Sequence, residues 1–375
     1  MTFSIPALRL CQPQISSAAI DAVVGVLQSG QLVFGAEGQA FEAELATYLG
    51  TDHAVLVSSG TAALHLALMA LDLGPGDAVL VPDFTFPATG NVVRHIGARV
   101  VLVDVDPQTY TLDLAALERQ LRSWRGPERL RAVMPVHEFG APVEMGALLD
   151  LAERYHLQVI EDAACALGAE HQGRRLGTWG QLGCFSFHPR KTLTTGEGGL
   201  ISTDDAALAE RLRALRSHGM VKAGGQIRFA EPGLNYRLTD LQAALGRQQL
   251  PCLDAWIARR RELAARYRSE LAGLQATGLL WLPADLPGHS YQTFMVVLAP
   301  QFERSAVIAQ LAAAGIEANL GAQSLSELGL YGPSLAMQAG PVLFRHGLAI
   351  PLHESMQDDQ VSQVCAVLEA ALKQA

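Results

Sequence analysis

Three stretches of the chain bring together residue types that could do chemistry. In Val55-Leu56-Val57-Ser58-Ser59-Gly60-Thr61-Ala62 an apolar strand turns through small residues directly into a helix. Such a junction offers free backbone N–H groups and the positive end of a helix dipole, which suits a phosphate. An ordinary strand-to-helix turn capped by serine and threonine would read the same way. In Val159-Ile160-Glu161-Asp162-Ala163-Ala164 carboxylates follow an apolar strand, at the end where α/β sheets place their ligands. A carboxylate there either caps a helix or faces a positively charged ligand group. In Gly183-Cys184-Phe185-Ser186-Phe187-His188-Pro189-Arg190-Lys191 a lysine stands just beyond a buried strand, among small and aromatic residues. Burial lowers a lysine's pKa and makes its amine nucleophilic toward carbonyls, whereas a surface lysine serves solubility.

One cofactor explains an anion site, a strand-end aspartate and an enclosed lysine together. Pyridoxal 5′-phosphate needs a cradle for its phosphate, a carboxylate to keep its pyridine nitrogen protonated, and a lysine for its aldehyde. The chain has no GxxxxGK[ST] and no GxGxxG after a strand, so a nicotinamide oxidoreductase has no fingerprint behind it. Five stretches, SGQLVFGAEGQAFEAELATYL, VSSGTAALHLAL, VIEDAACALGA, FSFHPRKTLTTGEGGLIST and LRSHGM…GLNYRLTDLQAALG, occur in an order and spacing that resemble the DegT/DnrJ/StrS-type sugar aminotransferases, members of the fold-type I pyridoxal-phosphate enzymes. The resemblance begins near Ile5 and runs to the C-terminus.

It implies roles position by position. Lys191 corresponds to the lysine that holds the cofactor as an internal aldimine, Asp162 would pair with the pyridinium nitrogen, and Gly60, Thr61 and Ser186 would bind the phosphate. Phe86, in DFTFPATGNVV, falls where relatives stack an aromatic ring on the cofactor; packing in the core is its competing role. Asn235 matches an asparagine that reaches the phosphate of the neighbouring subunit's cofactor, which implies a homodimer with shared sites; a turn residue is the alternative. His137, in VMPVHEFG, is a candidate pocket residue at a strand end. The implied reaction moves an amino group from an amino acid, glutamate by resemblance, to a keto-sugar, most often nucleotide-linked, with Lys191 as the acid and base.

Two departures from the family pattern stand out. Cys165 occupies a place near the cofactor's phenolic oxygen that is often Gln or His, and a thiol is a weak hydrogen-bond partner. After Gly315-Ile316 the chain reads EANLGAQSLSELGLYG instead of the usual Tyr/His-Pro-Leu-His pocket segment. These leave open a non-nucleotide cyclic ketone such as an inosose as acceptor, and a non-catalytic pyridoxal-phosphate-binding regulator. Dehydratases of the family carry histidine in place of the lysine; Lys191 favours transfer.

The elements that must position these groups follow from the hydrophobic pattern. Through residue ~205, short β-branched runs alternate with helical spacing, the mark of an α/β fold with a parallel sheet covered on both faces. The pattern predicts strands at 54–57, 78–81, 99–103, 131–136, 158–160, 184–187 and 199–202, and helices at 16–28, 38–49, 61–71, 85–96, 112–123, 145–155 and 205–217. The resemblance sharpens this to a mixed, mostly parallel seven-stranded sheet. A loop is expected around 222–232. Thr239-Asp240-Leu241-Gln242 reads as a capping box opening a long helical stretch with a break at Pro251. The expected division is a cofactor-binding domain over 1–250 and a smaller α+β domain over 251–375, with a strand at 291–298, an apolar run at 347–352, and helices at 304–314 and 358–372.

Composition excludes several classes. With 375 residues and 49% hydrophobic content the chain can bury substantial cores. Its net charge of −9 gives no general attraction for nucleic acid or anionic lipid. The five cysteines are scattered with no CxxC pair, so neither a disulfide framework nor a thiolate zinc site is expected. No run of about 20 apolar residues and no leader pattern at the N-terminus occurs, so a cytoplasmic protein without a membrane span is expected.

Overall fold

The apolar runs that lack polar alternation become the strands of one mixed sheet. The computed structural model describes residues 8–373 except Pro333; Ile5 and the N-terminal stretch read for a leader lie partly outside the described residues. The sheet comprises β1 (His53–Val57), β2 (Asp77–Pro82), β3 (Arg99–Val103), β4 (Arg129–Val133), β5 (Gln158–Asp162), β6 (Leu182–Ser186) and β7 (Gly199–Thr203), in the order β1-β7-β6-β5-β4-β2-β3. Only β7 runs antiparallel to its neighbours. The carboxyl ends of the other strands therefore share one edge.

Successive residues of a strand point to opposite faces, and here both faces are core. Leu56, Leu80, Val103, Val133 and Val159 pack under the helices Ala36–Leu49 and Met145–Arg154. Val57, Val81, Leu102, Ala132 and Ile160 pack under Gly60–Ala70, Ala88–His95 and Ala206–Leu215. Each fully buried Val or Leu contributes roughly 1.5–3 kcal/mol relative to exposure.

A second, three-stranded antiparallel sheet joins β8 (Leu280–Trp281), β9 (Phe294–Leu298) and β10 (Gly347–Ile350). The helices Leu253–Ala276, Arg304–Ala313 and Asp358–Lys373 form its core, which Leu8 also enters. The segment between β9 and β10 returns to the large sheet: Gln323–Ser324 pairs with Phe84–Thr85. Asp83, fully buried, anchors that return by accepting the Ser324 hydroxyl at 2.7 Å and the Ser326 N–H at 2.7 Å. Among the described residues no helix is long and apolar enough to cross a membrane.

The differences from the sequence pattern have local causes. The helix expected from residue 85 begins at Ala88, because Pro87 disfavours helical geometry at Phe86 and Thr85 is spent in the pair with Gln323. The strand expected over 131–136 spans Arg129–Val133, and Pro135 beyond it has no N–H to give a ladder. The stretch after Thr239 forms its capping box and breaks at Pro251 as expected, into Asp240–Arg247, a short 3-10 turn and Leu253–Ala276. Where a loop was expected, Met220–Ala223 pairs with Gln226–Phe229. Its turn is Gly224-Gly225, with φ of 58° and 78°, the left-handed pair that a tight hairpin requires. The helix Ala339–His346 was not anticipated, since Gly340 and Pro341 weaken its helical signal.

Candidate functional site

The shared carboxyl edge brings the sequence candidates together. Gly60 opens the helix Gly60–Ala70 directly after β1, with Ser59 as its cap accepting the Ala62 N–H at 3.0 Å. A Cβ at Gly60 would stand 2.8 Å from the Ser186 Cβ, so the end of β6 lies against this helix start and only glycine allows the approach. Thr61 is exposed on the first turn. Free N–H groups, the helix dipole and the Ser186 side chain thus meet at one place, the arrangement an anion cradle needs.

Asp162 ends β5 and is buried. Its backbone is fixed on both sides, donating to the Pro135 carbonyl and accepting from the His137 N–H. Its side chain accepts the Thr89 hydroxyl at 2.8 Å and the Ala164 N–H at 3.1 Å. Burial raises its pKa; Thr89, Ala164, Lys191 and His137 oppose that rise without cancelling it. A carboxylate held this way gains from any cationic partner brought to it.

Lys191 follows the turn after β6. Its Nζ donates to Cys165 Sγ at 3.0 Å. Burial works to lower the lysine's pKa, but Cys165, Glu138 and Asp162 outweigh it, and the net direction is upward. The fall toward neutrality expected from burial is therefore not produced by the protein alone. Burial also pushes the Cys165 thiol up, leaving it a neutral, weak partner. Phe86 is 66% exposed, which removes its core role. Asn235 is exposed too, beside Tyr236, whose carbonyl accepts the Ser58 N–H at 2.8 Å.

His137 is not a pocket residue. It is fully buried: its Nδ1 accepts the Val143 N–H and its Nε2 faces Glu161 Oε2 at 3.0 Å. Glu161 also accepts the N–H groups of Gly177, Trp179 and Gly180 at 2.6–2.7 Å. Period two sends Glu161 and Asp162 to opposite sides of β5, one into a saturated structural network and the other to the cluster with Lys191.

Sequence reasoning missed Glu138, Thr85 and Thr89. Glu138 is buried beyond β4, facing Lys191, Asp162 and the Thr85 hydroxyl, and burial pushes its carboxyl up to about 8. The visible signal was an acidic residue inside an otherwise apolar Met134-Pro135-Val136-His137-Glu138-Phe139 run. Phe139 has φ 57°, a left-handed strain for a bulky residue; its carbonyl accepts the Gln292 N–H, and the Gly140 carbonyl accepts the Ser290 N–H.

The site residues fit pyridoxal phosphate: a glycine cradle that a Cβ would fill, a buried aspartate lacking a full counter-charge, and a lysine amine with a neutral partner. Residues 13–369 match the model of the DegT/DnrJ/EryC1/StrS aminotransferase family. The chain belongs to that family. It is 37% identical over 336 residues to GDP-perosamine synthase of Caulobacter vibrioides, covering 88% of this chain and 89% of the relative. It is 36% identical over 353 residues to a UDP-N-acetyl-3-dehydro-α-D-glucosamine 3-aminotransferase of Acidithiobacillus ferrooxidans, covering 92% of each. The PMP form of Spr1654 from Streptococcus pneumoniae superposes with a TM-score of 0.89 at 26% identity, covering 96% of each chain. The protein is a DegT-family aminotransferase with the fold-type I architecture, and the mixed seven-stranded sheet is that fold's large sheet.

Proposed function

We propose that this aminotransferase uses pyridoxal 5′-phosphate to move an amino group from glutamate to a keto-sugar carried on a nucleoside diphosphate. The convergence of Lys191, Asp162 and the Gly60 helix start on one sheet edge carries this reading. The names of the two relatives above, which specify nucleotide-linked sugars, support the acceptor class. When bound, the cofactor supplies an aldehyde that takes up and releases the amino group, and a protonated ring that draws charge from the reacting carbon.

The chain's own residues do the rest. Gly60, Thr61 and Ser186 hold the phosphate, and Asp162 keeps the ring nitrogen protonated. Phe86 would cover the ring, and Cys165, which accepts from Lys191, would stand on the lysine's side of it. The Lys191 amine would hold the cofactor at its aldehyde and would act as the acid and base that takes up the proton of the donor's Cα.

Asn235 serves the neighbouring subunit in a homodimer. A dimer is supported by the exposed apolar side chains Ile20, Val24 and Leu27 on the helix Ser17–Ser29, with Leu32 and Val33 beyond it. The division into domains 1–250 and 251–375, and the cytoplasmic location, belong to the same reading. Purified protein loaded with pyridoxal phosphate and mixed with glutamate alone should convert its visible absorbance to that of the amine form, and a panel of keto-sugar nucleotides should restore it. Failure of the first step sinks the amino-transfer reading; restoration only by a free cyclic ketone sinks the nucleotide-linked acceptor.

A further inference from the structure

Thr89 touches the cluster around Lys191 but has no part in the reaction above. It is fully buried, and its Oγ1 is 2.8 Å from Asp162 Oδ2, 3.1 Å from Thr85 Oγ1 and 3.3 Å from the Phe86 carbonyl. A hydroxyl has one proton to give, and when Asp162 is ionised the short contact to the carboxylate takes it. Thr85, fixed by the pairing of its strand with Gln323, then donates to Thr89. The other carboxylate oxygen, Asp162 Oδ1, accepts the Ala164 N–H at 3.1 Å. One donor on each oxygen fixes the plane of the carboxylate and leaves lone pairs for a cationic N–H. Two features hold Thr89 in this aim. A threonine on a helix has few χ1 choices. The helix Ala88–His95 is also pinned by the segment that departs from the family pattern: Tyr331 donates to Asn91 Oδ1 at 2.8 Å, and a Cβ at Gly90 would stand 2.7 Å from the Tyr331 ring.

We propose that Thr89 is a positioning residue for amino transfer: its hydroxyl orients the Asp162 carboxylate toward the cofactor's ring nitrogen. This rests on the reading of Asp162 as that nitrogen's partner. A threonine with only a structural role would satisfy a buried carboxyl and nothing more. A positioning threonine has a selective consequence: losing its hydroxyl weakens what Asp162 does to the ring nitrogen and leaves the phosphate cradle and Lys191 as they are.

The test is equilibrium titration of full-length, cofactor-free protein with pyridoxal phosphate and with its 1-deaza analogue, in which a C–H replaces the ring nitrogen while the aldehyde and phosphate remain. Wild type should prefer pyridoxal phosphate, and Asp162→Asn should abolish the preference. Thr89→Val, close in shape but without the hydroxyl, should cut the preference about tenfold, the worth of one hydrogen bond to a charged group, with little change in affinity for the analogue. Thr89→Ser keeps the oxygen and should restore the preference to within about threefold of wild type. After loading, Thr89→Val should lower kcat with glutamate while KM stays within about threefold. If Thr89→Val weakens both ligands equally, or if Thr89→Ser behaves like Thr89→Val, the proposal is overturned. A wild type without the preference overturns the reading of Asp162 itself, and the proposal with it, so the two failures are told apart.

Discussion

Arg260 and Lys191 are both enclosed cations, and their surroundings differ in kind. Arg260 sits in the helix Leu253–Ala276, paired with Glu354 at 2.9 Å and donating to the carbonyls of Tyr291, Gln292 and Leu352 at 2.9–3.3 Å. The Lys191 side chain makes, among the described residues, one hydrogen bond, and its acceptor is a thiol. A saturated cation has nothing to gain from a ligand; a poorly partnered one beside a buried anion does. The two are also linked. Gln292, whose carbonyl Arg260 holds, donates through its side chain to the Arg190 carbonyl at 2.6 Å, so the saturated cluster braces the turn that carries Lys191.

The contrast can be broken most sharply at the lysine. Lys191→Ala should lower amino transfer by about 10³- to 10⁴-fold while leaving the melting temperature within a few degrees, because the site loses a reacting group but no packing. A large drop in thermal stability would mean that Lys191 is structural after all. Arg260→Met should do the reverse. It strands Glu354 in the core and should cost about 3–5 kcal/mol in denaturant unfolding, while the fraction that remains folded still takes up pyridoxal phosphate. Gly60→Ala should have a smaller effect: its Cβ meets the Ser186 Cβ at 2.8 Å, and the displacement should weaken cofactor binding by about tenfold, or about 1.4 kcal/mol. Binding unchanged in an equilibrium titration would remove the cradle from the phosphate site.

Sequence and structure agree most where one local rule decides. The strand Arg99–Val103 and the capping box at Thr239 follow from unbroken apolar runs and from paired side chains three residues apart. Lys191 and Asp162 stood out in the sequence because their neighbours on both sides repeat a family pattern. What stayed hidden depends on contacts distant in the chain. Nothing local to Phe84–Thr85 says that Gln323–Ser324 will pair with it, and nothing local to Glu138 says that its carboxyl will face Thr85. Glu161 and Asp162 look alike in sequence; the pleat and the N–H groups of Gly177, Trp179 and Gly180 separate a structural carboxylate from one near Lys191. His137 was misread for the same reason, since its partner Glu161 is 24 residues away.

Cys165→Ser bears on the contrast with the smallest expected effect. A hydroxyl is a better acceptor than a neutral thiol, so the Lys191 ammonium should be held somewhat more firmly, moving its side one step toward the arrangement around Arg260. Exchanging a weak acceptor of the ammonium for a better one is worth about 1 kcal/mol. Both kcat and the rate of cofactor loading should therefore change by less than about fivefold. A loss beyond a hundredfold would show that the sulfur does more than accept weakly from Lys191, and the distinction between a saturated and a poorly partnered cation would then fail as a guide to where this chain does its chemistry.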